Sequence, residues 1–585
     1  MNTSKLCIKI LFLSFVAITG FCLLSCTFWL WSSAYADFVQ TILILSGKQG
    51  WEIYFGKNLL SPLAYQKLRL LLAFMLVLWS LSVPLLLKKT ESIIQSIDNF
   101  GRFVYVSIKQ QCQFFCPKEA WFCAVLLFLF TLKACYFIYS YELQYDEAWT
   151  YNHFVSKGFL MCLVSPNNNH VLYTLLACIS DFLPIEGKYS LRLPVLLGGL
   201  STGLLFYVFI RSFFNWRVAF VALVFFLLSP AITQYSLYAR GYIFHVFCTI
   251  VLIWTSTKII LKDGYTHHFW VLWVLSSIFG IYAVPSHLIP VLLLSSLVLM
   301  QGLSQKPQIL RYYWRAHLSL VIILIVLFLP FLITGGFQTL FDAASKTGGD
   351  SFWSYQDKVS DWLLWGGGRG TPAFVVWCCF LILIVLLYYR LKDSKELRVL
   401  LSIAFGLMLL PLILDGLMGI QPLFRIWCFL TVAVAILLAG FLHYLSRFLK
   451  NQNLLLYLAL PIAAVLLLRM EVHYAMHWSK QIDKKAHFLA QLMLKNELDS
   501  CYSFSNYDKP LLEYYYLRAG KKLHLQMPYK DSQHYAPFEG GKIYTSVLWD
   551  KEDGQATAAQ ISWLNGHYPQ IIYEDERIEL RLPRH

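Results

Sequence analysis

The sequence predicts a polytopic α-helical membrane protein that ends in a small extracytoplasmic α/β unit. Three observations predict it. Long apolar runs recur from the N-terminal end to about Leu468, in a chain of 585 residues that is 58% hydrophobic and only 14% charged, with a mean hydropathy of +0.56. Lys and Arg gather in alternate intervals between those runs. After residue 470 the pattern changes to short alternating β-type and α-type segments. A soluble chain of this length carries far more charge. In lipid, only helices and closed barrels satisfy their own backbone groups, and these runs are too long and continuous for barrel strands.

The first run, Ile10 to Trp31, follows Lys5 and Lys9. It is long for a signal-peptide core and no convincing small-residue cleavage site follows it, so it reads as a span. About thirteen spans follow from the hydropathy. Their cores are 10–31, 66–87, 119–139, 190–210, 218–236, 242–260, 269–285, 287–303, 317–335, 372–389, 399–416, 425–445 and 453–468. Basic residues such as Lys88, Arg102, Lys118, Arg211, Arg217, Lys258, Arg311, Arg315, Arg390, Arg398 and Arg447 all fall in intervals on one side. The positive-inside rule assigns that side to the cytosol. The formal charge of +15 therefore reflects topology and contact with membrane lipids, and nucleic acid is excluded as a partner.

The opposite face carries segments 32–65, 140–189, 336–371 and everything after about residue 470. Within 140–189, His170 to Leu183 is apolar but too short to span, and suits an interfacial helix. Phe352 to Trp365 is a second such piece, rich in tryptophan. The run Gly366-Gly367-Gly368-Arg369-Gly370 is either a mobile lid or an ordinary turn. Beyond an amphipathic connecting helix, Glu471 to Glu497, strand-type segments at 501–505, 522–526, 542–548, 571–573 and 578–582 alternate with helical ones at 509–518 and 556–564. The organisation is thus 1–118, a transmembrane hairpin and cytosolic loop; 119–470, the main transmembrane region with outer loops 140–189 and 336–371; and 471–585, an extracytoplasmic α/β accessory domain. The 14 cysteines show neither zinc spacing nor a disulfide framework.

Polar groups beside a bilayer are costly without a use. The stretch Gln144-Tyr145-Asp146-Glu147-Ala148-Trp149 puts two adjacent carboxylates at the mouth of the third span, and Asn167-Asn168-Asn169-His170 lies in the same loop. Arg240 sits in a tight turn between two spans on that face, Arg425 opens another span there, and Ser286 and His287 share a further outer turn. Arginine binds phosphate through charge-assisted, often bidentate bonds. A carboxylate accepts a proton from an attacking hydroxyl when burial or a like charge raises its pKa. The set describes a site for an anionic lipid headgroup and a hydroxylic acceptor.

Taken in order, the YDEAWTY loop, PNNNHVLYTLL, RLPVLLGGLSTGLLFYVFIRSFF, QYSLYARGYIF and FRIW segments resemble the polyprenyl-phosphate-sugar-dependent GT-C glycosyltransferases. The branch they are most similar to is that of the protein O-mannosyltransferases and lipid A aminoarabinose transferase. The resemblance covers roughly 120–445 and implies inverting transfer of one sugar from a lipid-linked donor at the outer face of a bacterial inner membrane. It implies Asp146 as base with Glu147 supporting it, and Arg240 and Arg425 neutralising the donor phosphate. Tyr145, Asn168, Asn169, His170, Tyr242, His287 and Arg369 are the further candidates for substrate contact. No cofactor is implied beyond the lipid-linked donor; a divalent metal beside the acidic pair is compatible with the sequence, and no ligand pattern fixes one. The acceptor is a glycan, a lipid or a protein. Two features depart from the family: the acidic loop follows the third span where relatives have it after the first, and Asn-Asn-Asn-His-Val stands where many have His-Pro-Pro.

A transporter or flippase of a lipid-linked glycan is the alternative. It calls for ionisable residues near the membrane midplane or two related halves, and only Lys133 and Asp415, near span ends, suggest it. A non-catalytic scaffold leaves the clustered outer residues without a role.

Overall fold

The computed structural model describes residues 3–45, 61–114, 116–164, 169–261, 267–305, 307–334, 351–363, 373–390, 394–418, 421, 424–449, 451, 453–457, 461, 463, 481–503, 509–526, 546–550, 562, 565–574 and 578–583. Among them, nine helices are long and apolar enough to cross a membrane, and a bent pair makes a tenth. Two shorter apolar helices, His267–Ala283 and Phe374–Arg390, coincide with two further expected spans. The expected last span, 453–468, lies mostly outside the described residues, as do Asn168, Arg369 and the whole 366–370 run.

The expected single span at 218–236 is instead two helices, Trp216–Leu227 and Pro230–Leu237, bent by 60°. Ser229 caps the second, its hydroxyl accepting from the Ile232 N–H at 3.4 Å, and Pro230 occupies the first turn. Serine followed by proline is a helix-start signal, and here it prevails over continuous hydrophobicity. The segment between the second and third spans, expected as a cytosolic loop, contains the amphipathic helix Thr90–Phe114. Lys9 of the first helix pairs with its Glu91 at 2.6 Å.

Burial separates core from periphery. In the most apolar 18-residue stretches of Gly187–Arg211, Tyr242–Leu261 and Arg425–Ser446, 61–72% of the residues are buried within the protein, against 12% and 0% in those of Phe12–Ser32 and Pro62–Lys88. Glycine permits close packing on the Gly187–Arg211 helix: a Cβ on Gly198 would meet Phe244 of Tyr242–Leu261 at 3.0 Å, and one on Gly199 would overlap the Ser236 hydroxyl of Pro230–Leu237. The segment 140–189 contains the helices Tyr145–His153, Phe159–Val164 and Val171–Asp181.

The C-terminal strands β1 (Ser500–Ser503), β2 (His524–Gln526), β3 (Ser546–Asp550), β4 (Gln570–Glu574) and β5 (Ile578–Leu582) form one sheet in the order β2-β1-β3-β5-β4. β2, β1 and β3 are parallel and β5 and β4 antiparallel. Helices Gln481–Lys495 and Lys509–Arg518 cover it around Leu489, Met493, Cys501, Leu512, Tyr516 and Leu580. The second of these helices also docks on Tyr145–His153. Asn152 donates to the Pro510 carbonyl at 2.7 Å, Arg518 to Asp181 at 2.9 Å, and the Tyr515 hydroxyl to Glu142 at 3.0 Å.

Candidate active site

The sequence Gln144-Tyr145-Asp146-Glu147 begins a helix just beyond the Pro117–Ser140 span. Adjacent residues on a helix point about 100° apart, so Asp146 and Glu147 enter different surroundings. Glu147 is fully buried. Its Oε1 accepts from Arg192 Nε at 2.9 Å and from the Ala239 N–H at 2.9 Å. Its Oε2 accepts from Arg192 Nη2 at 2.7 Å and from the Gln144 N–H at 2.8 Å. Four donors on two oxygens leave no lone pair for a substrate proton. Arg192 also donates to the carbonyls of Tyr141 at 2.7 Å and Glu142 at 2.8 Å. This buried pair locks together the Gly187–Arg211 helix, the 141–147 segment and the 238–241 turn.

Asp146 points the other way, into a partly open space. Its Oδ2 accepts from Arg425 Nη1 at 2.9 Å, with the two side chains 18% and 29% exposed. The Tyr238 hydroxyl is a further hydrogen-bond partner. Burial pushes the Asp146 carboxyl up, but the charges of Arg240 and Arg425 and the bonds from Tyr238 and Arg425 outweigh it and hold the group below its ordinary value. The expected upward shift is thus reversed, because each of the two charges nearest Asp146 is a cation. Next to the same carboxylate, Tyr238 is pushed well above the usual tyrosine value by burial and by Asp146.

Arg240 is completely buried and donates to the Thr150 hydroxyl at 2.9 Å. That hydroxyl in turn donates to the Asp146 carbonyl at 2.8 Å. Arg240 therefore stands behind the site, and Arg425 is the guanidinium a ligand reaches. His170 is buried and its Nδ1 lies 3.0 Å from the Ala283 carbonyl. A carbonyl only accepts, so Nδ1 carries the proton. Burial and the charge of Arg240 hold this imidazole well below its ordinary pKa. Tyr242 lies against it edge-to-face at 4.9 Å and under Arg425 at 6.0 Å. Gly241 makes the approach feasible: a Cβ there would sit 2.5 Å from the Ala283 oxygen and 3.0 Å from His170.

The structure brings Asp146, Arg240, Arg425, His170 and Tyr242 together, and places the other candidates differently. Tyr145 is half-buried and stacks on Trp149 at 6.2 Å. Asn169 is buried in its own loop, donating to the Cys162 carbonyl at 2.7 Å and accepting from Thr174 at 3.0 Å. His287 is buried between helices, 2.7 Å from His245 Nδ1 to Nδ1. Among the described residues, no group of three or more His, Cys, Asp or Glu side chains is placed to hold a metal ion. Sequence reasoning missed Arg192, Thr150 and Tyr238. For Arg192 the signal was present: a charge inside an apolar span demands a buried partner.

Two guanidiniums face one reachable carboxylate, and the Glu147–Arg192 pair is neutral. The site keeps one positive charge in excess, walled by neutral His170 and tyrosines.

No protein-family model matches the sequence, and no curated protein matches it. Among solved structures, the apo form of ArnT from Cupriavidus metallidurans aligns with a TM-score of 0.53 at 12% identity, over 80% of this chain and 98% of that one. The same protein bound to undecaprenyl phosphate aligns with a TM-score of 0.51 at 14% identity, over 79% and 97%. At such identities the likeness is one of fold: this protein shares the membrane fold of those two ArnT structures over nearly the whole of the solved chain.

Proposed function

We propose that this protein is an inverting glycosyltransferase that moves one sugar from a polyprenyl-phosphate-linked donor to an acceptor hydroxyl, at the outer face of the cytoplasmic membrane. The observation that carries the reading is the excess positive charge around Asp146: Arg425 within reach at 2.9 Å and Arg240 buried behind it. Such a site recruits one anionic group, and a sugar phosphodiester carries one negative charge. The ArnT structure with undecaprenyl phosphate supports a polyprenyl phosphate as that group.

Asp146 takes the proton from the acceptor hydroxyl, whose oxygen attacks the anomeric carbon. The anomeric carbon–oxygen bond breaks on the opposite face, and its electron pair leaves with the phosphate. Arg425 meets the growing phosphate charge directly and Arg240 from behind, so no separate acid is needed. Positioned proton transfer contributes about 10²- to 10⁴-fold, and preorganised charge at the leaving group a comparable factor.

The test is a panel of labelled polyprenyl-phosphate pentoses and hexoses offered to the purified protein with candidate lipid, glycan and protein acceptors. At least one donor is expected to lose its sugar, and the product to carry the inverted anomeric configuration. Retention of every donor, or movement of intact labelled lipid across a sealed vesicle without sugar loss, contradicts the reading and favours a flippase.

A further inference from the structure

We propose that Arg425 is shared: it masks the Asp146 carboxylate in the empty protein, and the donor phosphate draws it away, so that the base is released by the arrival of the leaving group. The proposal rests on the donor class named above. Its structural basis is the contrast between two ion pairs on adjacent residues. The Glu147–Arg192 pair is 0% and 1% exposed and held by further backbone bonds, which makes it permanent. The Asp146–Arg425 pair is a one-point contact through Nη1, 18% and 29% exposed, in the mouth of the site. A partly solvated pair of this kind is weak and exchangeable.

The groups facing Asp146 decide what exchange does. Arg425, Arg240 and the Tyr238 hydroxyl all favour its charged form. Held in this way, Asp146 is a poor proton acceptor. Arg240 is buried and tied to Thr150, and Tyr238 lies in the turn fixed through Ala239 to Glu147. Arg425 opens its segment, in the 3₁₀ turn Phe424–Phe429, and its long side chain can swing between two anions. Phosphate matches a guanidinium better than a one-point carboxylate contact does, because it offers a two-point contact. As the anomeric bond breaks, the phosphate passes from one negative charge toward two. Its hold on Arg425 then strengthens while Asp146 receives the acceptor proton. Leaving-group departure and base strength are thereby coupled through one side chain, and the base is idle when no donor is bound.

Competition for Arg425 has a binding signature that does not depend on turnover. The probe is undecaprenyl phosphate without sugar, titrated against the full chain in lipid nanodiscs. Asp146→Asn removes the competitor, so affinity is expected to rise about tenfold, the equivalent of one charge-assisted bond at about 1.4 kcal/mol per factor of ten. In an Arg425→Met background the same Asp146→Asn change is expected to alter affinity by less than about twofold. Asp146→Ser, which keeps no charge and a smaller side chain, is expected to repeat the tightening, and thermal melting of each variant reports folding separately. Unchanged or weaker binding by both Asp146 variants overturns the proposal. An equal tenfold gain in the Arg425→Met background also overturns it, since that is simple repulsion between Asp146 and phosphate. If the wild-type chain binds no polyprenyl phosphate at all, the donor class itself is wrong, and the proposal falls with it.

Discussion

Asp146 is expected to titrate differently in the two halves of the catalytic cycle. In the empty protein Arg240, Arg425 and Tyr238 hold it below its ordinary carboxyl value against the opposing effect of burial. The acidic limb of kcat/KM for donor, which reports the free protein, therefore lies below the usual carboxylate range. When the donor withdraws Arg425, one stabilising cation is lost and the pKa rises. The acidic limb of kcat is accordingly expected at higher pH than that of kcat/KM, and coincident limbs contradict the exchange. Gly241→Ala tests the packing around His170. Its Cβ would lie 2.5 Å from the Ala283 oxygen, an overlap expected to cost about 1–3 kcal/mol, to be read as a lowered melting temperature with reduced turnover. At this scale the sequence showed part of the site. Asp146 and Arg425 stand out because charges at a membrane mouth are few. The direction of the Asp146 shift was hidden, since it depends on a cation 279 positions away. Arg192 was visible as an intramembrane charge, but its partner Glu147, 45 residues earlier, is not apparent from either residue alone.

Single elements are held in register by two clasps of opposite character. Breaking the buried Glu147–Arg192 pair from one side leaves an uncompensated charge, so Glu147→Gln or Arg192→Met is expected to destabilise by about 3–5 kcal/mol. The double variant is expected to lose less than the sum, measured by thermal melting in detergent; strict additivity would deny the coupling. Glu142 forms the outer clasp, bonded to Lys188 at 3.0 Å and to the Tyr515 hydroxyl at 3.0 Å. Burial opposes its ionisation, but His487 and Lys188 prevail and lower its pKa from 4.5 to about 2. A depressed carboxyl pKa stabilises above the unfolded value and loses that contribution as pH falls through the folded one. Glu142→Gln is therefore expected to cost about 2 kcal/mol near neutrality, and the difference from wild type to shrink between pH 4.5 and about 2. Helix boundaries were legible where composition changes and missed where hydrophobicity ran on: Ser229-Pro230 breaks a run that reads as one span.

Across the whole molecule, periodicity and charge bias disclosed the helical membrane class, the helix Val171–Asp181 within 140–189 and the strands of the C-terminal sheet, because each depends on local pattern; the helices Tyr145–His153 and Phe159–Val164 were not foreseen. Periodicity and charge bias did not disclose that the sheet's helix Lys509–Arg518 braces the helix bearing Asp146, through Asn152 and Pro510 at 2.7 Å, because that contact joins residues 358 positions apart. Placing the site on the outer face has its own check: an epitope at the C-terminus is expected to be stained on intact spheroplasts, and staining only after permeabilisation would reverse the topology. The account as a whole turns on Asp146 as the base. Its most direct test is the single-turnover rate of polyprenyl phosphate release from an accepted donor, compared between wild type and Asp146→Asn at equal donor occupancy. The expected result is a fall on the order of 10²- to 10⁴-fold with donor binding retained. A variant that releases polyprenyl phosphate at the wild-type rate would contradict it.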